Sequence, residues 1–499
     1  MNSTAITSRK AERSPSLREQ WWSNPRADLL AGLVVALALI PEAISFSIIV
    51  GVDPKVGLYA SFTMAVVTAV VGGRPALISA ATGSMALVMA TLVKDHGIQY
   101  LYATAIATGI VQLGLGVLGV GRLMRFIPRS VMTGFVNALA ILIFIAQIRN
   151  VWGDGALAYV LVVAAIAFIY LFPRLTDVVP APLIAIVLMT VAAATFHWSV
   201  PTVGDRGELP SSFPSLLIPD IPWTFETLQI IAPYAVTLAL VGLLESLLTA
   251  QLLDDLTDTN SDKDRESRGQ GIANVVTGFF GGMAGCALVG QSMMNIRYGA
   301  RTRLSTLASG VFLLALLLVG GPVVAKIPMS ALVAVMIVVC VATFDWSSIT
   351  PRLLKRTPRS ETAVMVVTVA IVVATDNLAI GVVAGVLLAA VFFARRVAHL
   401  VEISEVSQPD PETRRYALSG ELFFASTNEL VHAFDYVDSP AHVIIDLSEA
   451  HVWDGSAVAA LDSVVAKFER HGVTAEIVGL NVESSALHSR LSGHFGSQA

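Results

Sequence analysis

The feature that most constrains this chain is a series of apolar segments that fills positions 29 to about 398. The whole sequence has a mean hydropathy of +0.71 and is only 14% charged, whereas a soluble protein carries about a quarter charged residues. A helix needs about 20 apolar residues to cross a bilayer, and fewer where it is broken. The sequence therefore predicts a multi-pass α-helical membrane protein with a soluble C-terminal domain.

The apolar segments divide into two halves of seven. The long stretch 199–227, rich in Pro, Ser and Gly, separates them. An odd number of spans per half inserts the second half inverted, so span 1 corresponds to span 8 and span 3 to span 10. This pattern predicts inverted repeats at 28–198 and 228–396 within a transport domain at 28–398. The predicted spans are 28–50, 56–72, 76–93, 99–120, 130–148, 156–172, 182–198, 228–253, 269–284, 287–300, 304–322, 329–345, 361–375 and 377–396.

Basic residues indicate the orientation of these spans. With an even number of spans both termini lie on one side, and Lys and Arg accumulate on the cytoplasmic side. Placing the N-terminal segment 1–27 in the cytoplasm puts Arg9, Lys10, Arg122 and Arg125 there. We therefore expect both termini in the cytoplasm and the chain in the inner (plasma) membrane. The basic residues left outside are Lys55, Lys94, Arg149, Arg206 and Lys326.

Two of the apolar segments are interrupted. Segments 76–93 and 285–300 begin with extended-type residues, such as 287–289, reach Gly83 or Gly290, and then continue at helical period. Such backbone is tolerated in a membrane protein only where it lines a polar cavity or is buried in protein. In an inverted repeat two helix N-termini then point at one another, each with about half a positive charge and free N–H donors.

This arrangement predicts an anion site that needs no Lys or Arg. The alternative is that both glycines are close-packing residues in ordinary membrane helices. Hydroxyl side chains near both glycines support the anion site, because such side chains can cap the start of a helix. They are Thr82, Ser84 and Ser292.

Two carboxylates lie within apolar spans. Glu42 follows Pro41 in span 1, and Glu245 lies in the middle of span 8, one turn before Thr249. An ionisable residue inside a span is a functional-site hypothesis by default, and these two occupy equivalent places in the two halves. We expect Glu245 to exchange a proton during transport; the alternative is a neutral carboxyl bonded to a neighbouring helix. Phe46, one turn beyond Glu42, either lines the anion site or packs between helices.

Other chemistry is not indicated by the sequence. Cys286 and Cys340 lie in apolar context and are expected to be packing residues. Asp28 is expected to cap span 1. The chain shows no nucleophile–base arrangement and no ligand spacing of His, Cys or acidic residues. We therefore expect no enzyme activity, cofactor, metal or nucleic-acid partner.

Two long segments carry a family resemblance. LIPEAISFSIIVGVDPKVGLYASF at 39–62 and GGMAGCALVGQSMMNIRYGARTRLS at 281–305 resemble the SulP anion transporter family, solute carrier family 26, and residues 401–499 resemble its STAS domain. The resemblance implies a core domain and a gate domain, often in a homodimer, with the anion held between spans 1, 3, 8 and 10. The substrate-binding residues that it implies are Glu42, Phe46, Thr82, Gly83, Ser84, Gly290, Gln291 and Ser292.

The resemblance also implies how transport is driven. Family members coupled to a cation use an acidic residue in span 8, which here is Glu245 with Thr249 beside it. Animal chloride–bicarbonate exchangers of the family carry an Arg near the start of span 10, where this chain has Gln291. Without that charge, a co-bound cation is needed to balance the anion.

We therefore predict a secondary active transporter that works by alternating access. Its predicted activity is proton-coupled, rather than sodium-coupled, symport of a C4-dicarboxylate such as fumarate. Sulfate transport and sodium-coupled bicarbonate transport are the alternatives. A nucleobase symporter, which lacks a STAS tail, and a membrane receptor that signals through the STAS domain are further alternatives.

The C-terminal domain shows strands alternating with helices, which predicts a small α/β unit. The segment DLSEAHVWDGSAVAAL at 446–461 resembles the segment of anti-sigma-factor antagonists that carries a phosphorylatable Ser, and this resemblance places Ser456 at that position. We favour instead a helix cap at Asp454 or Ser456. The predicted strands are 415–419, 422–426, 442–448 and 475–479, and the predicted helices are 427–437, 456–470 and 484–491.

Overall fold

The computed structural model describes residues 16–121, 128–174, 181–375, 378–398, 401–406 and 412–493. Arg9, Lys10, Arg122 and Arg125, on which the orientation partly depends, lie outside the described residues. The first half contains helices α1 (Leu17–Trp22), α2 (Pro25–Val50), α3 (Pro54–Val71), α4 (Gly83–His96), α5 (Ile98–Val117), α6 (Arg129–Val151), α7 (Ala156–Leu171) and α8 (Ala181–Thr195), with strand β1 (Ser79–Ala81) before α4.

The second half contains the corresponding elements, and each predicted span overlaps a helix. Eight of the described helical segments are long and apolar enough to cross a membrane, and two shorter helices are also apolar. The multi-pass prediction is confirmed, while the count of fourteen spans stays a prediction. The elements are α9 (Phe225–Thr257), α10 (Lys263–Phe279), β2 (Gly285–Ala287), α11 (Val289–Arg297), α12 (Arg303–Val324), α13 (Met329–Thr343), α14 (Pro351–Leu354), α15 (Arg359–Thr375) and α16 (Leu378–Ala398).

The two halves contain the same elements in the same order, and their short strands run in opposite directions. Two helices, a short strand and two further helices occur as α2, α3, β1, α4 and α5, and again as α9, α10, β2, α11 and α12. Strands β1 and β2 pair antiparallel, as an inverted repeat requires. Helices α2 to α5 pack mainly with α9 to α12, whereas α6 to α8 pack with α13, and α15 packs on α6. These two helix groups are the candidates for the expected core and gate, and that division stays a prediction.

Three local predictions need correction. Helix α10 begins at Lys263 rather than 269, because Asp262 caps it there by accepting the Arg265 N–H at 2.8 Å. The second extended stretch lies at 285–287, and α11 already begins at Val289. Asp28 does not cap α2, which begins three residues earlier at Pro25. Its carboxylate instead accepts hydrogen bonds at the start of α12, from Thr302 Oγ1 at 2.7 Å and from the Arg301 N–H at 2.9 Å.

Residues from Val386 onward form a second compact unit. Its described part holds a four-stranded sheet in the order β3-β4-β5-β6, in which β4, β5 and β6 are parallel and β3 is antiparallel to β4. A separate apolar core, which includes Leu461 and Phe468, lies under the helices. The elements are β3 (Glu402–Val406), β4 (Thr413–Leu422), α17 (Thr427–His432), β5 (His442–Val452), α18 (Gly455–Arg470), β6 (Thr474–Val478) and α19 (Val482–Leu491).

The α/β prediction for this unit is confirmed with two changes. Strand β3 was not predicted, and residues 423–426 form a turn rather than a strand. Ser426 closes that turn, because its Oγ accepts the Phe423 N–H at 3.0 Å. Asp454 caps α18 by accepting the Ala457 N–H at 2.9 Å, so the predicted cap is confirmed. Ser456 is exposed in the first turn of α18.

Candidate functional site

The two broken segments meet at their strands in the interior of the protein. Ser79, Ala80 and Ala81 pair with Ala287, Cys286 and Gly285 respectively. All six residues are buried. Strands this short leave some backbone N–H groups without a partner in the sheet, so neighbouring side chains accept their hydrogen bonds. The Ala81 N–H donates to Ser61 Oγ at 3.3 Å, and the Ala287 N–H donates to Ser246 Oγ at 3.0 Å.

Helices α4 and α11 start from this strand pair without a capping side chain. Thr82 and Leu288 occupy the two cap positions, and neither side chain accepts a hydrogen bond from the first turn. The predicted caps are therefore wrong. Ser84 Oγ donates to Glu245, and Ser292 Oγ accepts the Ile78 N–H at 3.0 Å. The first-turn N–H donors of both helices thus lack side-chain caps, and uncapped N-termini favour negative charge.

Each helix start is met by a carboxylate from the opposite repeat. Glu245 on α9 accepts hydrogen bonds at Oε2 from Ser84 Oγ and from Cys286 Sγ, the latter at 3.1 Å. Glu42 on α2 accepts a hydrogen bond at Oε1 from Nε2 of Gln291 in the first turn of α11. Among the described residues, the other oxygen of each carboxylate accepts no hydrogen bond. Glu42 is 5% and Glu245 is 7% exposed.

The remaining predicted residues take different places. Thr249 Oγ1 donates to the backbone carbonyl of Glu245 at 2.7 Å, so its hydroxyl does not contact the carboxylate. Phe46 lies against the start of α4, since a Cβ built on Gly83 would be 2.9 Å from Phe46 Cε1. A Cβ on Gly290 would meet no atom within 4 Å, and Gly290 is exposed. The structure therefore places Phe46 against the start of α4 and leaves Gly290, at the start of α11, exposed.

Sequence reasoning missed the part that Cys286 plays. It was expected to be a packing residue, but its thiol contacts Glu245, and Thr82 Oγ1 lies 3.2 Å from its sulfur. Only the strand register brings these groups together, so no local signal pointed to this contact. Cys340 is buried in α13, as expected for a packing residue.

Helix α10 carries a second feature that was missed. Glu266, Gln270, Asn274 and Thr277 are fully buried and share one helix face. Asn274 bonds both backbone groups of Gly285, at 2.8 and 2.9 Å, and Gln270 Nε2 donates to Ser79 Oγ at 2.7 Å. The spacing of polar residues by three and four in an otherwise small-residue segment was the available signal. This polar face positions both strands of the site.

Similarity to known proteins agrees with this architecture. The sulfate permease family model matches residues 26–157 and 155–368, and the STAS domain model matches residues 406–493. YbaR of Bacillus subtilis (strain 168), which is named for sulfate transport, is 57% identical over 95% of this chain and 99% of its own length.

Two solved structures show a similar fold. The transmembrane domain of a cyanobacterial bicarbonate transporter, BicA, is 26% identical and covers 72% of this chain and 98% of its own, with a TM-score of 0.65. Murine solute carrier 26 family member A9 is 17% identical and covers 95% of this chain and 88% of its own, with a TM-score of 0.79. The chain therefore belongs to the sulfate permease family of anion transporters and carries a C-terminal STAS domain.

Proposed function

We propose that this protein couples the uptake of a small anion to protons, by alternating access of the core helices against the gate helices. The observation that carries the proposal is the crossed pair of carboxylates. Glu245 lies at the uncapped start of α4, and Glu42 lies at the uncapped start of α11. Each helix start that suits an anion is therefore already occupied by a group that can be negative.

Electrostatics links these carboxylates to the substrate. Two like charges about 4 Å apart repel by about 4 kcal/mol at an effective dielectric constant of about 20. An anion at either helix start is therefore disfavoured while the adjacent carboxylate is charged, and it is favoured once that carboxylate is protonated. Binding of proton and anion is then mutually reinforcing, which is the thermodynamic requirement for symport. We assign Glu245 as the coupling residue.

The choice of anion depends on the site's chemistry and on the family. Helix N–H donors without a basic side chain suit oxyanions and carboxylates alike. Similarity to YbaR favours sulfate, and similarity to BicA favours bicarbonate. The C4-dicarboxylate fumarate remains the candidate from the sequence, because a proton-coupled site balances an organic dianion in the same way. We propose sulfate and fumarate as the first substrates to test.

Uptake into proteoliposomes tests this function. Radiolabelled sulfate, fumarate and bicarbonate should be compared with an inward proton gradient, an inward sodium gradient and neither. We expect accumulation of one anion that depends on the proton gradient. Accumulation that depends on the sodium gradient alone would show that sodium, rather than the proton, is the coupling ion. Glu245 and Thr249 would then be the candidate residues for binding it. Failure to transport any small anion would overturn the proposal.

The variant Glu245→Gln provides the sharper test. The amide is neutral, as a protonated carboxyl is, so the anion should still bind and exchange while gradient-driven accumulation falls by about tenfold or more. Glu226→Gln is the matched control, since Glu226 is exposed in the first turn of the same helix. Accumulation unchanged in Glu245→Gln would contradict the coupling role of Glu245.

We also propose that both termini lie in the cytoplasm of the inner membrane. The proposal depends on the excess of basic residues in the loops assigned to that side. Protease added outside intact cells should leave a tag at either terminus uncut. Cleavage of both tags would show that the protein has the opposite orientation.

A further inference from the structure

Cys286 lies at the centre of the crossed contacts. It is the middle residue of β2, paired with Ala80 of β1, and it is fully buried. Its thiol donates to Glu245 Oε2 at 3.1 Å. We propose that Cys286 is a positioning residue that adjusts how firmly Glu245 holds its proton during transport.

The two carboxylates of the site differ in their donors, and this difference carries the proposal. Glu42 accepts one hydrogen bond, from Gln291, whereas Glu245 accepts two at the same oxygen. The second donor of Glu245 is the thiol. A hydrogen bond to the charged form of an acid favours that form. The thiol therefore helps Glu245 release its proton, which a symporter must do once per cycle.

A thiol suits this position in both protonation states. It is a weak donor and a weak acceptor, so it donates to a carboxylate and accepts from a carboxyl group. Thr82 Oγ1 lies 3.2 Å from the Cys286 sulfur and 3.1 Å from Ser84 Oγ, so a hydroxyl is available whichever way the thiol points. The three side chains thus reorganise around Glu245 without moving the backbone.

No charged side chain competes with this contact among the described residues. The Ser84 hydroxyl and the Cys286 thiol are the side chains that donate to the buried Glu245 carboxylate. On α9 itself the next carboxylate towards the C-terminus is Asp254, nine residues on, which pairs with Arg74 at 2.9 Å and with Lys263 at 2.5 Å.

The other elements packed against α9 carry titratable groups, but among the described residues none of these besides Cys286 bonds to Glu245. On α10, Glu266 accepts the Gly73 and Arg74 N–H groups. Among the described residues α5 forms no hydrogen bond with Glu245, α4 contributes Ser84, and Gln291 of α11 bonds to Glu42. The thiol is thus the titratable side chain in contact with Glu245 in the described part of the chain.

The test compares Cys286→Ala with Cys340→Ala, and it rests on the proposed proton coupling. The chain has two cysteines, and both are buried, so the pair is matched in chemistry and burial. Uptake is measured against external pH at fixed gradient. In Cys286→Ala we expect the alkaline limb of the profile to move upward by about half a pH unit or more, because a donor to the charged form is lost.

Kinetics and rescue separate positioning from folding. We expect Cys286→Ala to lower kcat with little change in KM for the anion, because the proton step slows while the helix N–H donors stay in place. Cys286→Ser restores a donor and should return the profile towards that of Cys340→Ala. Cys286→Ala and Cys340→Ala profiles that coincide would overturn the role of Cys286 while leaving proton coupling intact. Wild-type uptake that does not change with pH would overturn both the role of Cys286 and the proton coupling.

A spectroscopic measurement keeps the proposal testable should Cys286→Ala fail to fold. In Cys340→Ala, Cys286 is the one remaining thiol of the whole sequence. Its infrared S–H stretching band should shift as pH falls through the uptake midpoint, since its partner changes from carboxylate to carboxyl. A band that stays constant across that midpoint would overturn the proposal.

Discussion

At the scale of single residues, the two glycines at the broken helices are not equivalent. A Cβ on Gly83 would lie 2.5 Å from Ile143 Cδ1 and 2.9 Å from Phe46 Cε1, whereas one on Gly290 would meet nothing within 4 Å. Overpacking of this kind costs about 1–3 kcal/mol. We expect Gly83→Ala to lower uptake about tenfold, by displacing Phe46 or α6 from the start of α4, and Gly290→Ala to retain at least half of the wild-type rate.

Uptake rates normalised to protein in the liposomes check this pair. Each glycine is within the first two residues of its helix, so the backbone effect of Ala is similar in both. Equal loss in the two variants would show that helix geometry, rather than the contact with Phe46 and Ile143, controls the site.

At the scale of elements, α10 holds the strand pair by its polar face. Asn274 Nδ2 donates to the Gly285 carbonyl and to Gln112 Oε1, both at 2.9 Å, and Asn274 Oδ1 accepts the Gly285 N–H at 2.8 Å. Asn274→Ala leaves two buried backbone groups without partners. We expect a loss of about 2–4 kcal/mol in the free energy of unfolding, and anion binding weakened with it.

Thermal unfolding in detergent, with and without the anion, measures this loss. Gln251→Ala is the control, because Gln251 is an exposed amide that donates within α9, to Asp255 at 2.9 Å. An unfolding temperature for Asn274→Ala equal to that of the control would contradict the role assigned to α10.

At the scale of the whole molecule, the chain forms two compact units with separate cores, and the C-terminal unit has its own pH dependence. In it, the Ser448 hydroxyl donates to Asp446 Oδ1 at 2.6 Å, the Ser448 N–H donates to the same oxygen at 2.9 Å, and Arg415 donates to Oδ2. These bonds lower the pKa of Asp446 to about 2. An unfolded Asp has a pKa of about 3.9.

The sign of the pH effect follows from this difference. The folded carboxyl is more acidic than the unfolded one, so its stabilisation is complete above about pH 4 and is lost as the pH falls towards 2. Hydrogen exchange of the full chain by mass spectrometry should show peptides of β4 and β5 losing protection in this window. Asp446→Asn should remove the dependence, whereas the exposed Glu405→Gln should keep it. Protection that is constant from pH 4 to 2 in the wild type would contradict the assignment.

Sequence patterns alone predicted the multi-pass helical class, the two inverted halves, both helix breaks and the two carboxylates within apolar spans. These features are local, because hydropathy, glycine position and the spacing of Lys and Arg are read along one segment at a time. The resemblance to known transporters then indicated which spans surround the anion. The start of α10 escaped this reading, since its first turns are polar and hydropathy does not register the cap that Asp262 supplies.

The partners to which these groups bond follow from the tertiary fold. Ser84, Cys286 and Gln291 are 161, 41 and 249 residues from the carboxylates that they contact. No periodicity relates such positions, so the pairing depends on the antiparallel register of β1 and β2. That register moved Ser84 and Ser292 from predicted caps to other partners, and it turned Cys286 from a predicted packing residue into a donor to Glu245. A site shared by two inverted repeats is completed only when both are folded together.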